Sequence, residues 1–373
     1  MRIAYLSTFF PFRGGIAQFN ASLFREFEKD NEVRAFTFKR QYPNFLFPGE
    51  TQMVSEKDKV DEIPSSRLVD TINPFSYITA ASAINRFQPE LMVSKFWMPF
   101  FAPALGYISG KLKKHGTKNI CVLDNVIPHE KRIGDIALTK YFLSRQSGFV
   151  CMSETVRKDL LTLKPDAKYI MFPHPLYDHF GEKISAEGAR EILNIPKDKK
   201  VLLFFGFIRD YKGLDILINS LKMLPEDYHL IIAGEVYGNF TKYDDLIKEL
   251  NLKNKITLAV KYISDKEVPM YFSASDVCVL PYKSATQSGI VSISYQFNLP
   301  LIATDVGSLK EMIEPYNAGL MIKEVSSVAL SDAIKNYFDN NLKEEFQQNM
   351  TVYKEKYSWG NLAKAIKEFY QTL

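Results

Sequence analysis

The chain has 373 residues, of which 46% are hydrophobic and 24% are charged, and its formal net charge is +4. This length predicts two globular domains, and the composition excludes a disordered or fibrous protein. The small positive charge does not require a nucleic-acid partner, and it is compatible with contact to an anionic membrane surface.

The first predicted elements are a strand over residues 2–6, a turn with adjacent Gly14 and Gly15, and a helix. Glycines at this position let the backbone approach a ligand, and the helix N-terminus offers N–H groups to an anion. The turn is not the full Gly-x-Gly-x-x-Gly fingerprint, so it predicts either an anion site or ordinary turn geometry. The helix carries apolar residues at intervals of three and four: Ile16, Phe19, Leu23, Phe24 and Phe27.

Strand and helix patterns alternate along the whole chain, which predicts βαβ units and an α/β fold with parallel sheets. Pro173 and Pro175 predict an extended linker near the middle. We therefore predict two Rossmann-like domains, residues 1–176 and 177–355, facing each other across a cleft, with a C-terminal helix (356–373) packing back towards the first. The predicted strands cover residues 2–6, 33–38, 91–94, 119–123, 148–152, 168–172, 201–205, 229–233, 255–260, 277–280, 301–304 and 319–322.

Polar residues follow the predicted strand at 119–123, where the sequence reads ICVLDNVIPHE over residues 120–130. Asp124 at the end of a parallel strand could accept a proton or orient a hydroxyl group. It could equally cap a turn. His129, five residues later, is either a second polar group of the same site or a structural histidine.

Residues 204–215 read FFGFIRDYKGLD and join a strand, through Gly206, to an amphipathic helix. The loop between them carries Arg209 and Lys212. Arginine presents a planar fork to phosphate oxygens, and lysine presents a mobile point charge. The spacing is typical of a diphosphate site, although the two residues could equally be solvated surface charges.

A second glycine-containing segment, SATQSG at residues 284–289, follows a strand and opens a helix predicted over 290–297. Small and hydroxyl residues at a helix start favour an anion-binding nest. Ser288 could instead form an ordinary N-cap. The residues assigned to the nest and its polar border are Thr286, Gln287, Ser288, Gly289 and Ile290.

Together these segments resemble the family-4 retaining glycosyltransferases, which have the GT-B fold. FFGFIRDYKGLD looks like their donor-diphosphate loop, and Gly14-Gly15 looks like their N-terminal glycine turn. Residues 281–313, PYKSATQSGIVSISYQFNLPLIATDVGSLKEMI, resemble their donor-binding region. The SATQSG form, with DNVIPHE, WMPFFAP and PHPLYD upstream, is similar to one bacterial branch.

The resemblance implies an enzyme that transfers a hexosyl group from a UDP- or GDP-linked sugar to an acceptor hydroxyl with retention of configuration. It implies no cofactor and no bound metal. The acceptor would be a glycan or a lipid-linked glycan in bacterial cell-surface polysaccharide or glycolipid assembly. Catalytic roles fall on Arg209 and Lys212 at the leaving diphosphate, and on Asp124 and His129 near the sugar.

The chain departs from the family at two carboxylates. Most members carry two glutamates eight positions apart, which would fall here on Ala285 and Ile293. Glu311, in the following turn, is a candidate substitute near the ribose. The missing pair is the feature that favours one alternative to the enzyme, a catalytically silent nucleotide-sugar-binding subunit. The chain could also be a GT-B nucleotide-sugar epimerase or phosphorylase-like enzyme or, more distantly, a nicotinamide-dependent dehydrogenase.

Three separate cysteines in apolar contexts, and a first strand that begins at residue 2, predict a cytoplasmic protein with reduced thiols. The longest uncharged run, 284–304, is interrupted by a glycine and a proline and predicts no transmembrane helix. A basic patch in the first half favours peripheral contact with the anionic inner face of the cell membrane. Its members are Lys111, Lys113, Lys114 and Lys118.

Overall fold

The computed structural model describes residues 1–12, 14–43, 52–54, 61–127, 133–176, 180–236, 239–285, 288–307 and 309–373. The chain divides into two compact units. The first comprises Met1–Pro175 and Tyr357–Leu373, and the second comprises Leu176–Lys356. Each unit contains one sheet whose paired strands all run parallel, with helices packed against it. The predicted α/β class with two Rossmann-like sheets is confirmed.

The first unit has a seven-stranded sheet. Its strands are β1 (Arg2–Leu6), β2 (Glu32–Arg40), β3 (Ser65–Asp70), β4 (Leu91–Phe96), β5 (Lys118–Leu123), β6 (Gly148–Cys151) and β7 (Tyr169–Met171). They lie in the order β3-β2-β1-β4-β5-β6-β7. All six residues of β4 are buried, as expected for a central parallel strand covered on both faces. The edge strand β3 is not predicted from the sequence because most of its residues, SSRLVD, are polar.

In the described part of the first unit, six α-helices cover this sheet. They are α1 (Gly15–Glu28), α2 (Pro74–Arg86), α3 (Ala102–Lys114), α4 (Asp135–Ser144), α5 (Glu154–Leu163) and, from the end of the chain, α14 (Trp359–Thr372). The apolar stripe predicted for α1 is buried at Phe19, Leu23 and Phe27, in a core that also contains Leu362 and Ile366 of α14. The last helix therefore completes the hydrophobic core of the first unit.

The second unit has a six-stranded sheet. Its strands are β8 (Lys200–Phe205), β9 (Tyr228–Ala233), β10 (Ile256–Ala259), β11 (Val277–Leu280), β12 (Leu301–Thr304) and β13 (Gly319–Ile322). Their order, β10-β9-β8-β11-β12-β13, is that of doubly wound nucleotide-binding sheets. The direction of winding reverses between β8 and β11. Ligands bind in such sheets beyond the carboxyl ends of the strands at this reversal.

The helices of the second unit are α6 (Ala186–Ile192), α7 (Leu214–Lys222), α8 (Thr241–Glu249), α9 (Val268–Ala274), α10 (Gly289–Gln296), α11 (Leu309–Ile313), α12 (Ser327–Asp339) and α13 (Lys343–Lys356). The predicted apolar face of α7, including Leu214, Leu217 and Leu221, is buried. Helix α10 begins one residue earlier than predicted. Across the described ranges, no helix combines the length and apolar character needed to span a bilayer.

Candidate functional site

A cavity of about 320 Å³ lies in the second unit at the carboxyl end of its sheet. The segments that follow β8, β9, β10 and β11 form its walls, and the first turn of α10 completes them. Its position at the reversal of the strand order is where a doubly wound sheet binds its ligand. The cavity is lined by Phe205, Gly206, Phe207, Tyr211, Lys212, Gly234, Glu235, Tyr262, Ile263, Tyr282, Ser288, Gly289 and Ile290.

Lys212 is the basic residue of this lining, and it is only 8% exposed. Burial lowers the pKa of its ammonium group to about 8, and the nearby charge of Arg209 contributes to the lowering. The Nζ atom lies 5.5 Å from the centroid of the Tyr282 ring. Within the described ranges, no carboxylate forms an ion pair with it. A buried cation without a counter-ion is costly to maintain, and an anionic ligand would supply the missing charge.

Two glycines fix the loops around Lys212. Gly213 ends the single 3₁₀ turn Asp210–Lys212 with a φ of +68°, and a Cβ atom there would lie 1.9 Å from the Pro281 carbonyl oxygen. A Cβ atom on Gly234 would lie 2.1 Å from the Gly206 carbonyl oxygen. Only glycine allows these approaches. The loops that follow β8, β9 and β11 are therefore packed backbone to backbone at the floor of the cavity.

The start of α10 is open to the cavity. The Ser288 hydroxyl makes no capping bond to the helix among the described residues, and instead lies 3.2 Å from the Tyr282 hydroxyl in a buried hydrogen bond. A Cβ atom on Gly289 would meet no described atom within 4 Å. The Ser288 side chain therefore does not form the ordinary N-cap hydrogen bond that was considered from the sequence. The first-turn amides are left to face the cavity, and they suit an anion.

Arg209 lines a neighbouring cavity of about 430 Å³. It precedes the 3₁₀ turn with an extended backbone (φ −137°, ψ 153°), whereas Lys212 is the last residue of that turn. The same cavity contains Asp210, which pairs with Lys242. The two predicted cations are thus close enough to interact electrostatically, but they line different cavities.

In the first unit, Asp124 directly follows β5 and forms an ion pair with Lys95, with 2.6 Å between Nζ and Oδ1. The Lys95 side chain is 2% exposed, and its Nζ atom lies 3.5 Å from the centroid of the Phe19 ring in α1. Burial lowers the pKa of Lys95, and the Asp124 charge opposes this. Asp124 keeps 24% of its side chain exposed. Lys95 therefore fixes the carboxylate while leaving it accessible.

The second half of the chain matches a known sequence family. Residues 185–368 match, and belong to, the family described as "Glycosyl transferases group 1". The chain is 28% identical over 204 residues to a D-inositol 3-phosphate glycosyltransferase of Corynebacterium urealyticum, a match that covers 52% of this chain and 48% of that protein. The chain thus spans about half the length of this curated relative.

A longer match, 24% identical over 293 residues, links this chain to the putative teichuronic acid biosynthesis glycosyltransferase TuaC of Bacillus subtilis. It covers 76% of this chain and 71% of that protein. Two solved structures share the fold. One is a glycosyltransferase from Rickettsia africae (TM-score 0.70, 18% identity, covering 99% of this chain and 98% of that one). The other is Anabaena Alr3699/HepE in complex with UDP (TM-score 0.69, 14% identity, covering 100% of both). The fold is GT-B.

The glycine turn before α1 is held by a buried asparagine. Gly14 precedes α1 with a φ of +106°. Asn20, one turn into α1, accepts a hydrogen bond from the Tyr5 hydroxyl. Its amide group donates to Ser7 Oγ and to the Thr8 carbonyl oxygen. The loop that leads towards Gly14 and Gly15 is thereby anchored to the first turns of the helix.

Some predicted site residues are not brought to the cavity. Glu311 lies exposed in the first turn of α11 and does not line it. His129, Thr286 and Gln287 lie outside the described residues. Lys118 donates to the Tyr370 carbonyl oxygen and lies over the Tyr370 ring, so it packs against α14. In the part of the chain that the structure describes, no three Asp, Glu, His or Cys side chains are grouped as a metal site.

Sequence reasoning missed the acidic residue of the cavity and its aromatic wall. Glu235, directly after Gly234 at the end of β9, is the acidic residue among the described lining residues. Its carboxylate makes no ion pair within the described ranges. A glycine followed by a carboxylate at a strand end was the available signal. Tyr282 had no such signal, because its role depends on the fold that brings it beside Lys212 and Ser288.

Proposed function

We propose that the protein is a retaining glycosyltransferase that transfers a hexosyl group from a nucleotide-diphosphate sugar to an acceptor hydroxyl. The observation that carries this proposal is Lys212, a buried cation without a carboxylate partner in the described residues. It lies in a cavity at the reversal of the strand order, beside the open first turn of α10. A diphosphate is the ligand whose charge and position satisfy both groups.

In this mechanism, negative charge grows on the diphosphate as it leaves the anomeric carbon. The Lys212 ammonium group and the first-turn amides at Gly289 and Ile290 stabilise that charge. Preorganised donors of this kind supply a large part of enzymatic rate enhancement. Arg209 adds positive potential from the neighbouring cavity. Protein cations thus neutralise the leaving group without a metal ion, and the acceptor attacks the face from which the diphosphate departs.

The first unit supplies the remaining roles. Asp124 accepts a hydrogen bond from a sugar hydroxyl, and its ion pair with Lys95 holds the carboxylate in one orientation. Gly14 and Gly15 allow the backbone to approach the diphosphate. The roles proposed for His129, Thr286 and Gln287 rest on the sequence resemblance.

The donor is proposed to be a UDP-sugar, or else a GDP-sugar. HepE, a protein of the same fold, has been crystallised with UDP and with UDP-glucose, which supports the first choice. The relative named for teichuronic acid biosynthesis supports an acceptor in bacterial cell-surface polysaccharide or glycolipid assembly. We place the reaction in the cytoplasm, at the inner face of the cell membrane.

A donor screen followed by product analysis tests this function. Among UDP-, GDP-, ADP- and CMP-sugars, one nucleotide class should raise the melting temperature, because a ligand that binds only the folded state stabilises it by mass action. With that donor and a lipid-linked glycan acceptor, NMR of the product should show the anomeric configuration of the donor. The proposal would be wrong if the product had the inverted anomeric configuration, or if none of the nucleotide sugars raised the melting temperature.

A second candidate is a nucleotide-sugar-binding subunit without catalytic activity. Ala285 and Ile293 stand where most family members carry glutamates, and this observation favours it. Binding of the donor without transfer to any acceptor, and without release of free sugar, would support this candidate over the enzyme.

Glu235 is proposed to replace one missing glutamate by accepting hydrogen bonds from the ribose hydroxyls. Glu235→Gln should weaken binding of the nucleoside diphosphate about tenfold, because a hydrogen bond to a charged group contributes roughly 1.5–3 kcal/mol. Isothermal titration calorimetry measures this difference. The effect should vanish for the 2′,3′-dideoxy nucleotide, which lacks the hydroxyls.

The matched control is Glu311→Gln, since Glu311 is exposed and does not line the cavity. Its affinity should equal that of the wild type. Equal weakening of both nucleotides by Glu235→Gln would contradict the assignment to ribose. If only Glu311→Gln weakened nucleotide binding, Glu311, the residue predicted from the sequence, would be the one that contacts the ribose.

A further inference from the structure

An exposed apolar surface lies in the first unit where β3 leads into α2. It consists of Ile72, Phe75 and Ile78, whose exposed fractions are 49%, 77% and 52%. We refer to these three residues as the apolar tip. Single exposed apolar residues are ordinary, but a cluster that includes a Phe exposed by three quarters marks an interaction surface.

The apolar tip is held outwards by polar anchors beneath it. Asp70 Oδ1 accepts a hydrogen bond from the Ile72 amide, and Asn73 Oδ1 accepts one from the Phe75 amide. The Tyr77 hydroxyl donates to the Thr71 carbonyl oxygen. These bonds fix the turn and the start of the helix, so Phe75 and its neighbours cannot fold back against the core without breaking them. The exposed conformation is built into the turn.

Cations lie on the same edge of the sheet: Lys39 and Arg40 end β2, and Arg67 lies in the middle of β3. The Arg40 carbonyl oxygen accepts a hydrogen bond from the Thr71 amide, immediately before the apolar tip. Arg67 donates to the Lys39 carbonyl oxygen, and all three basic residues are exposed. Among the described residues, Asp70 is an acidic neighbour, and its Oδ2 atom pairs with Arg40 Nη2 at 3.3 Å. Within the described ranges, three cations and one carboxylate therefore lie near the apolar tip.

We propose that the apolar tip inserts into an anionic lipid bilayer and that Lys39, Arg40 and Arg67 contact the headgroups. Apolar side chains bordered by cations are the combination that binds anionic membrane interfaces. Three side chains are too few for a stable dimer, which needs roughly 800 Å² from each partner. Only the purpose of this docking, which is to bring the enzyme to a lipid-linked acceptor, rests on the proposed function.

Vesicle flotation tests this inference without requiring turnover. The wild type should float with vesicles of equal parts phosphatidylcholine and phosphatidylglycerol, and remain behind with phosphatidylcholine alone. The double substitution Phe75→Ser/Ile78→Ser should lower the partition coefficient by about tenfold or more, because it removes most of the buried apolar area. Lys39→Gln/Arg67→Gln should also lower it, and high salt should abolish that difference.

The matched control is Val328→Ser/Val352→Ser, which changes two similarly exposed apolar residues in the second unit (57% and 58%). It should bind as the wild type does. Failure of the wild type to bind anionic vesicles would overturn the inference. An equal loss of vesicle binding in the control variant would overturn it too. A third contrary result would be a wild-type dimer in size-exclusion chromatography that Phe75→Ser/Ile78→Ser converts to a monomer without reducing vesicle binding. If Lys111→Gln/Lys114→Gln were the only tested change that reduced vesicle binding, the membrane contact would lie at the predicted basic patch and the inference would be wrong.

Nucleotide binding separates this inference from the proposed function. A variant of the apolar tip that loses vesicles but keeps the thermal shift with nucleotide is folded, and its defect is in docking. If the wild type floats with anionic vesicles but binds no nucleotide, the membrane-docking inference stands and the proposed glycosyltransferase function is wrong.

Discussion

Lys212→Met should strongly weaken binding of the nucleoside diphosphate while leaving the protein at least as stable as the wild type. The ammonium group is buried and has no carboxylate partner in the described ranges, so removing its charge removes a desolvation cost. The same change removes the cation that faces the diphosphate. We expect roughly a 100- to 1,000-fold loss of affinity and of turnover.

The pH dependence of unfolding provides a second measure of the same substitution. The folded-state pKa of Lys212, about 8, lies below the ordinary value of 10.5, so the unfolded chain binds more protons between these two pH values. Stability therefore rises with pH across this window, by about 3 kcal/mol in total from this group. Below about pH 8 the cost of the buried charge is fully present. The free energy of unfolding should be measured against pH for the wild type and for Lys212→Met. The difference between the two curves should show the rise in stability that comes from Lys212 alone.

The matched control is Lys248→Met, which removes an exposed lysine paired with Asp244 on α8. It should change neither nucleotide affinity nor the pH profile beyond experimental error. A Lys212→Met protein that binds the nucleotide normally would contradict the proposed site. A marked fall in its stability would show that Lys212 instead has a structural partner.

The sequence predicted most of the fold because a parallel sheet covered on both faces requires continuous apolar strands. Strands such as Val277–Leu280 and Leu301–Thr304 could be recognised from that pattern alone. The edge strand Ser65–Asp70 could not, because most of its residues are polar. A residue in the loop after a predicted strand was within reach of sequence reasoning, since Lys212 was singled out there and lines the cavity.

Residues that depend on strand order were not within reach. Glu235 and Tyr282 follow different strands, and they line one cavity only because β9, β8 and β11 lie side by side. The relation between Arg209 and Lys212 was obscure for a different reason. A spacing of three residues does not tell on which side of a turn each side chain emerges. The extended backbone at Arg209 is a tertiary property of the loop.

Gly213→Ala should destabilise the protein by about 3–5 kcal/mol, among the largest effects of a single substitution. An alanine there would keep a φ of +68°, which L-residues other than glycine rarely adopt, and its Cβ would lie 1.9 Å from the Pro281 carbonyl oxygen. The backbone would have to shift, and with it the turn that positions Lys212. Chemical denaturation and calorimetric titration with the nucleotide should show joint losses.

Gly289→Ala is the matched comparison, because its Cβ would enter open space at the start of α10, with no described atom within 4 Å. Alanine is a better helix former than glycine by about 1 kcal/mol in a helix interior, so stability should hold or rise. The added methyl group would occupy the approach to the first-turn amides, so nucleotide affinity should fall. One glycine is thus required by the packing of the loops and the other by the ligand. A Gly289→Ala protein with unchanged affinity would show that the diphosphate does not approach this helix.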